Sequence, residues 1–277
     1  MVDISSSDRR DFLRYTRTHR WPILERFPVG EDVHAELLAH MLSCTPEVIA
    51  ALTDSLEEET RAAAAHLLTD EAYRDALTAL PFGSDDRVVA VGDSITADRL
   101  GWFELLAASF GSLGKPGPTL INLGVSGNTT ADVIERFDLL EAARPTRVLL
   151  MLGTNDARAH GRAGHHRMAT THETERNLRA LLDLVTGDLD SEVTVITPPA
   201  VDQPRVDEFF ADAPVRWSAA AVAEIAAVVR KVAPEAVDVH DATRAMSADL
   251  LEADGVHPTA AGQRFILARI LDHLCPR

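Results

Sequence analysis

A chain of 277 residues is long enough for one sizeable core or for two domains. With 46% hydrophobic and 25% charged residues its composition is that of a globular protein, and a formal net charge of -16 argues against nucleic acid or an anionic membrane surface as partner. The two cysteines, Cys44 and Cys275, imply no disulfide framework. Met1 to Arg20 holds no apolar stretch of signal-peptide type and no later run suits a membrane span, so a cytoplasmic protein without membrane insertion is expected.

From about Asp8 to Leu80 the pattern is helical. Val33, Leu37, Leu38, Met41 and Leu42 recur at helical spacing and predict one apolar stripe on a helix ending near Ser43. Thr45-Pro46-Glu47 reads as the next helix start, with an N-cap hydroxyl, a proline at the first helical position and an acid in the first turn. That helix carries Val48, Leu52, Leu56 and the run Ala62 to Ala65 and finishes around Leu68, after which Thr69-Asp70 caps a shorter one. Residues 1–82 thus form a helical segment whose apolar faces need a surface: the following domain, a second copy of the chain in a homo-oligomer, or an active site that they cover as a lid.

Pro81-Phe82-Gly83-Ser84-Asp85-Asp86 is rich in helix and strand breakers, and from residue 83 to 277 strands and helices alternate. Strands are expected over Arg87 to Val91, Leu120 to Leu123, Val148 to Leu152, Val193 to Ile196 and Val237 to Val239. Helices are expected over Trp102 to Phe110, Thr130 to Ala143, Glu173 to Val185, Trp217 to Val232 and Thr259 to Leu274. This alternation predicts an α/β fold, a parallel sheet with helices on both faces.

Ligands of open parallel sheets bind beyond the carboxyl ends of the strands. The first strand ends in Gly92-Asp93-Ser94, the second in Asn122-Leu123-Gly124-Val125-Ser126-Gly127-Asn128 and the third in Gly153-Thr154-Asn155-Asp156, while Asp254-Gly255-Val256-His257-Pro258 precedes the last helix. An isolated Gly-Asp-Ser is ordinarily a turn or an N-cap, and a loop histidine is ordinarily on the surface. Their convergence at one predicted edge instead assembles a nucleophile, oxyanion donors, a base and an orienting acid.

In these four blocks the sequence resembles the SGNH hydrolases, also called GDSL-type esterases and lipases, over roughly Asp85 to the carboxyl terminus. Ile95 stands where the family name has leucine, an apolar residue either way. The resemblance implies a three-layer, flavodoxin-like sheet and catalysis by Ser94, His257 and Asp254, with an oxyanion hole made by the backbone N–H groups of Ser94 and Gly124 and the side-chain amide of Asn155. It implies hydrolysis of a carboxylic ester of a small or medium-sized molecule through an acyl-enzyme, with neither cofactor nor metal. Acyl transfer, thioester or sugar-acetate hydrolysis at the same site is the alternative, and an idle binding module a more distant one.

Asp93 and Asp156 read as hydrogen-bonding supports. Ser126 lacks the Gly-x-Ser-x-Gly spacing of a nucleophile elbow. His160, His165, His166 and His172 are close in sequence and could suggest a metal, but the glycines and arginines of Ala157 to Met168 suggest a solvated loop rather than a metal site. Arg158, Pro199 and Val256 are candidates for substrate contact, Arg158 through a carbonyl or carboxylate unless a surface ion pair occupies it. Phe209 and Phe210 follow the fourth strand as a further wall or as packing.

Overall fold

Five α-helices and one short 3-10 helix (Thr18–Arg20) precede the first strand among the residues that the computed structural model describes, 4–161, 166–244 and 248–275. The α-helices are α1 (Ser6–Tyr15), α2 (Pro22–Arg26), α3 (Glu31–Met41), α4 (Pro46–Leu67) and α5 (Glu71–Ala79). There follow β1 (Arg87–Gly92), α6 (Ser94–Ala97), α7 (Trp102–Ser112), β2 (Thr119–Asn122), α8 (Thr130–Glu135), α9 (Phe137–Ala142), β3 (Arg147–Met151), β4 (Ala159–His160) and β5 (His166–Arg167). The chain continues with α10 (Thr171–Asp183), β6 (Glu192–Ile196), α11 (Gln203–Phe209), β7 (Val215–Arg216), α12 (Ala219–Val232), α13 (Val239–Arg244) and α14 (Ala260–Leu274).

The main sheet is parallel, in the order β2-β1-β3-β6. The expected fifth strand shrinks to one parallel bridge between Ile196 and Val237. Asp238 ends it early, because its carboxylate accepts from the Asp241 N–H at 3.1 Å and helix α13 begins at once. The single helix expected over Thr130 to Ala143 divides at Arg136, whose guanidinium turns inward to bond Asn128 Oδ1 and the Leu123 carbonyl.

Strand residues alternate between two cores, as a period of two requires. Val88, Ala90, Leu149 and Met151 pack against Trp102, Leu106, Ile266 and Ile270 on one face. Val89, Val91, Val148 and Leu150 meet Val133, Leu178, Leu181 and Val229 on the other. Leu77 and Leu80 of the amino-terminal segment belong to the first of these cores, so that core runs across the boundary near Phe82.

The remaining amino-terminal helices bury a cluster of Leu13, Leu38, Ala39, Leu42, Ile49 and Leu56. The expected stripe on α3 splits: Leu38 and Leu42 are inside, whereas Val33 and Leu37 are 60% and 39% exposed and Met41 38%. A stripe broader than one neighbouring helix can cover leaves its outer rows in solvent.

Helix α1 is locked to the α/β part by charge. Arg14 donates from Nε and Nη2 to the two carboxylate oxygens of the fully buried Asp98, each at 3.0 Å, and from Nη1 to Glu252 Oε1 at 2.7 Å. Arg17 Nε donates to the Ala97 carbonyl at 2.8 Å, and Arg99 reaches back to the Leu13 carbonyl at 2.9 Å. Burial works against charge on Arg14, and its hydrogen bonds to Asp98 and Glu252 more than offset it.

Two stability predictions follow from this packing. Leu56→Ala opens a cavity in the buried cluster and lowers unfolding free energy by about 2–5 kcal/mol in urea titration, while Val33→Ala changes it by no more than about 0.5 kcal/mol. Arg14→Ala leaves Asp98 buried without its partner and costs about 3–5 kcal/mol by the same measurement, a loss that a surface ion pair would not produce.

Candidate active site

Strand β1 delivers its serine through a turn that admits no side chain at Gly92, where a Cβ would lie 2.2 Å from Thr96 Oγ1 and 2.8 Å from the Met151 carbonyl. Asp93 then caps the short helix α6, accepting from the Ile95 N–H at 2.9 Å, and Ser94 opens that helix. Asp93 is completely buried, and desolvation pushes its carboxyl up to about 6 against the pull of that N–H and of His257.

Ser94 Oγ lies 2.8 Å from His257 Nε2, and His257 Nδ1 lies 2.5 Å from Asp254 Oδ2. The other Asp254 oxygen accepts the backbone N–H groups of Val256 at 2.8 Å and His257 at 2.9 Å, so the carboxylate orders the loop that carries the imidazole. Gly255 permits this turn: its φ is +69°, and a Cβ there would sit 2.7 Å from the Asp202 carbonyl. Burial opposes charge on both side chains. Their hydrogen bond outweighs it, holding Asp254 below the usual carboxylate value and raising His257 above the usual imidazole value, with Asp93 and Asp98 adding to the latter.

Tyr15, the last residue of α1, packs its ring on the imidazole, with centroids 4.6 Å apart and a tilt of 41°. Its position far upstream in the chain gave no sequence signal for this contact.

The structure corrects the expected role of Gly124. Its N–H donates to Asn122 Oδ1 at 2.8 Å, and a Cβ would fall 2.6 Å from Ala97 N, so Gly124 is a close-packing glycine whose donor is engaged. Three residues on, Gly127 has φ +86° and an N–H with no backbone acceptor among the described residues. Arg136 holds this loop from beneath, at 2.7 Å from Asn128 Oδ1 and 2.8 Å from the Leu123 carbonyl. Asn155 reaches the same loop, Nδ2 donating to the Asn128 carbonyl at 3.2 Å. Asp156 ties the end of β3 to α8 and α10, accepting from Thr130 N at 3.0 Å, Thr130 Oγ1 at 2.5 Å and Thr174 Oγ1 at 3.0 Å.

The three candidates for substrate contact separate. Arg158 makes no ion pair with any described residue; its guanidinium lies over Trp217, 5.9 Å from the ring centroid, and Nη1 comes within 3.9 Å of the Cβ position of Gly127. Partial burial holds it below its usual pKa. Trp217, which the sequence marks only as the start of a helix, precedes that helix and is anchored by Nε1 on the Thr154 carbonyl at 3.0 Å. Val256 turns inward, 2% exposed, among Ala157, Val206, Trp217 and Val222, and is corrected to a core residue because the backbone that presents His257 directs its neighbour to the opposite side. Pro199 lines a cavity of about 140 Å³ with Leu251, Pro258 and Ile266, behind the His257 loop. Phe210 packs on Trp217, while Phe209 is 58% exposed.

The stretch Ala157 to Met168 is more than a loop: β4 pairs antiparallel with β5 and β7. His160 and His166 face each other in that ladder, and His165 lies outside the described residues.

Residues 90–265 match the model of the GDSL-like lipase/acylhydrolase family. Similar solved structures include LAE5, an α/β hydrolase enzyme from the metagenome of Lake Arreo, Spain, at 24% identity and a TM-score of 0.54 over 68% of this chain and 94% of that one. Axe2, an acetylxylan esterase from Geobacillus stearothermophilus, is 22% identical with a TM-score of 0.52 over 69% and 95%. A putative GDSL-like lipase from Parabacteroides merdae is 20% identical with a TM-score of 0.51 over 69% and 96%. These neighbours are matched almost end to end, so the rest of this chain has no counterpart in them. No curated protein sequence matches the chain. With its family model spanning β1 to α14 and its fold shared with these hydrolases, the chain belongs to the GDSL-like lipase/acylhydrolase family and is a hydrolase.

Proposed function

We propose that the protein is a serine esterase that cleaves a carboxylic ester of a small or medium-sized molecule through an acyl-enzyme on Ser94. The observation that carries this reading is the unbroken hydrogen-bonded series from Ser94 Oγ through the imidazole of His257 to Asp254. His257 Nε2 takes the serine proton as Oγ attacks the ester carbon, then returns it to the departing alcohol; in the second half it deprotonates water for attack on the acyl-enzyme. Asp254 keeps Nδ1 protonated and stabilises the imidazolium.

The oxyanion is assigned to the Ser94 N–H, which as the first of helix α6 has no intrahelical acceptor, to the Gly127 N–H, and to Asn155 Nδ2. Gly124 supports the hole without donating to it. Arg158, the cation beside Gly127, is assigned to a substrate oxygen.

Ser94→Ala is expected to abolish labelling by a fluorophosphonate and to cut ester turnover by on the order of 10⁶-fold with an unchanged melting curve. Undiminished hydrolysis in that variant would contradict the reading. Asn155→Ala should lower kcat by about 100–1,000-fold. The pH dependence has a definite sign: protonated His257 cannot accept the serine proton, so kcat/KM rises with pH through a midpoint above the usual imidazole value of about 6.5. Stability runs the other way, because a raised imidazole pKa stabilises the fold fully below the unfolded value and that contribution is lost as pH climbs through the folded one. Asp254→Asn should shift the kinetic midpoint downward and reduce kcat by about 10⁴-fold, measured as a pH–rate profile.

A further inference from the structure

The residues matched by the family begin at 90, yet one side chain against His257 comes from α1. Tyr15 is held there from two directions. Arg14 fastens it to Asp98, just after helix α6, and to Glu252 and the Pro258 carbonyl, on either side of His257. Arg17 fastens the following turn to the Ala97 carbonyl. The Arg14 guanidinium also lies over the tyrosine ring, 4.6 Å from its centroid. The Tyr15 hydroxyl, by contrast, makes no hydrogen bond to any described residue, although burial and the nearby carboxylates of Asp98, Glu252 and Asp254 keep it protonated and therefore able to donate.

The reaction fixes what this wall must face. As acylation proceeds, the bond from Ser94 Oγ to the carbonyl carbon forms and the bond from that carbon to the alcohol oxygen breaks. The proton that left Oγ passes from His257 Nε2 to that oxygen. The alcohol oxygen must therefore lie within hydrogen-bond reach of Nε2, with the carbonyl oxygen toward Ser94, Gly127 and Asn155. A group stacked on the imidazole borders the alcohol half of the substrate. The acyl half attaches to Ser94 and stays behind when the alcohol leaves.

We propose, on the basis of the esterase reading, that Tyr15 is the alcohol-side specificity residue. Its ring packs on the carbon skeleton of the leaving alcohol and its hydroxyl bonds a second oxygen of that alcohol, so that esters of polyhydroxylated alcohols are preferred to esters of simple alkyl alcohols. A site built to bond a hydroxyl discriminates strongly against the analogue that lacks one, because the site's own polar group is left without a partner.

The test uses the full chain as wild type, Tyr15→Phe and Tyr15→Leu. A series of para-nitrophenyl esters first ranks acyl lengths; glycerol monoesters and propyl esters of the preferred acid are then compared by kcat/KM. Deacylation is read from the steady rate after the para-nitrophenol burst. Tyr15→Phe keeps the ring and removes only the hydroxyl, and is expected to lower the glyceryl-to-propyl ratio of kcat/KM about tenfold. Tyr15→Leu should lower it at least as far. The acyl ranking and the deacylation rate of the Phe variant should stay within about twofold of wild type, since the alcohol has left before deacylation begins.

An unchanged glyceryl-to-propyl ratio in the Phe variant overturns the proposal. So does a parallel fall in acylation and deacylation, which would mean that Tyr15 merely supports His257, a participant in both steps. Should Tyr15→Leu fail to fold, the Phe variant decides alone. Wild-type protein that turns over esters while Ser94→Ala does so equally well refutes the esterase reading itself, a failure separate from that of Tyr15.

Discussion

Strand β1 is hydrogen-bonded on one side to β2 and on the other to β3, with all three running the same way. In a parallel sheet this register forces the carboxyl ends of neighbouring strands to one edge, and with β2 on one side of β1 and β3 on the other the strand order reverses there, the place where open sheets of this kind bind ligands. Ser94, the Gly127 loop and Asn155 follow these three strands, so backbone pairing rather than any side-chain contact first brings them together. The ladder in turn depends on both faces being buried: Val88 and Ala90 on one side, Val89 and Val91 on the other. A one-residue slip would exchange these sets and carry Gly92 away from its close approach to Met151.

Around that edge the protein keeps several charges out of water, each with partners. Asp93 caps the serine helix, Asp156 gathers Thr130 and Thr174, and Asp98 is gripped by Arg14. Burial of unpaired groups of this kind would cost several kcal/mol each. Paired, they lock loops that carry few apolar anchors of their own. The Asp254 carboxylate shows the same economy, since one oxygen orders the backbone of its loop and the other orients the imidazole.

The amino-terminal helices have two distinct relations to this frame. Helix α5 and the residue that follows it contribute Leu77 and Leu80 to the main core, which makes the helix a packing layer. Helix α1 instead reaches the site through polar bonds, and sets Tyr15 on the face of His257. Between them, Val33, Leu37 and Met41 stay in solvent because α3 buries only its inner rows.

Much of this was legible in the sequence alone. Alternating apolar runs and helical periodicities marked the four strands of the main sheet and most of the longer helices within a few residues, because burial on both faces leaves a strong pattern, whereas the two-residue strands β4, β5 and β7 left none. The blocks around Ser94, Asn155 and His257 pointed to one edge, because the order of elements in a parallel sheet constrains where their ends lie. Tertiary structure decided what spacing does not encode. Both Gly124 and Gly127 follow β2, and only the hydrogen bond from Gly124 to Asn122 and the left-handed conformation of Gly127 distinguish a packed glycine with an engaged N–H from one whose N–H has no backbone acceptor among the described residues. Val256 lies next to His257 in sequence but points into the core. Tyr15 belongs to the site because a buried arginine beside it finds Asp98, a long-range pairing that no local pattern announces.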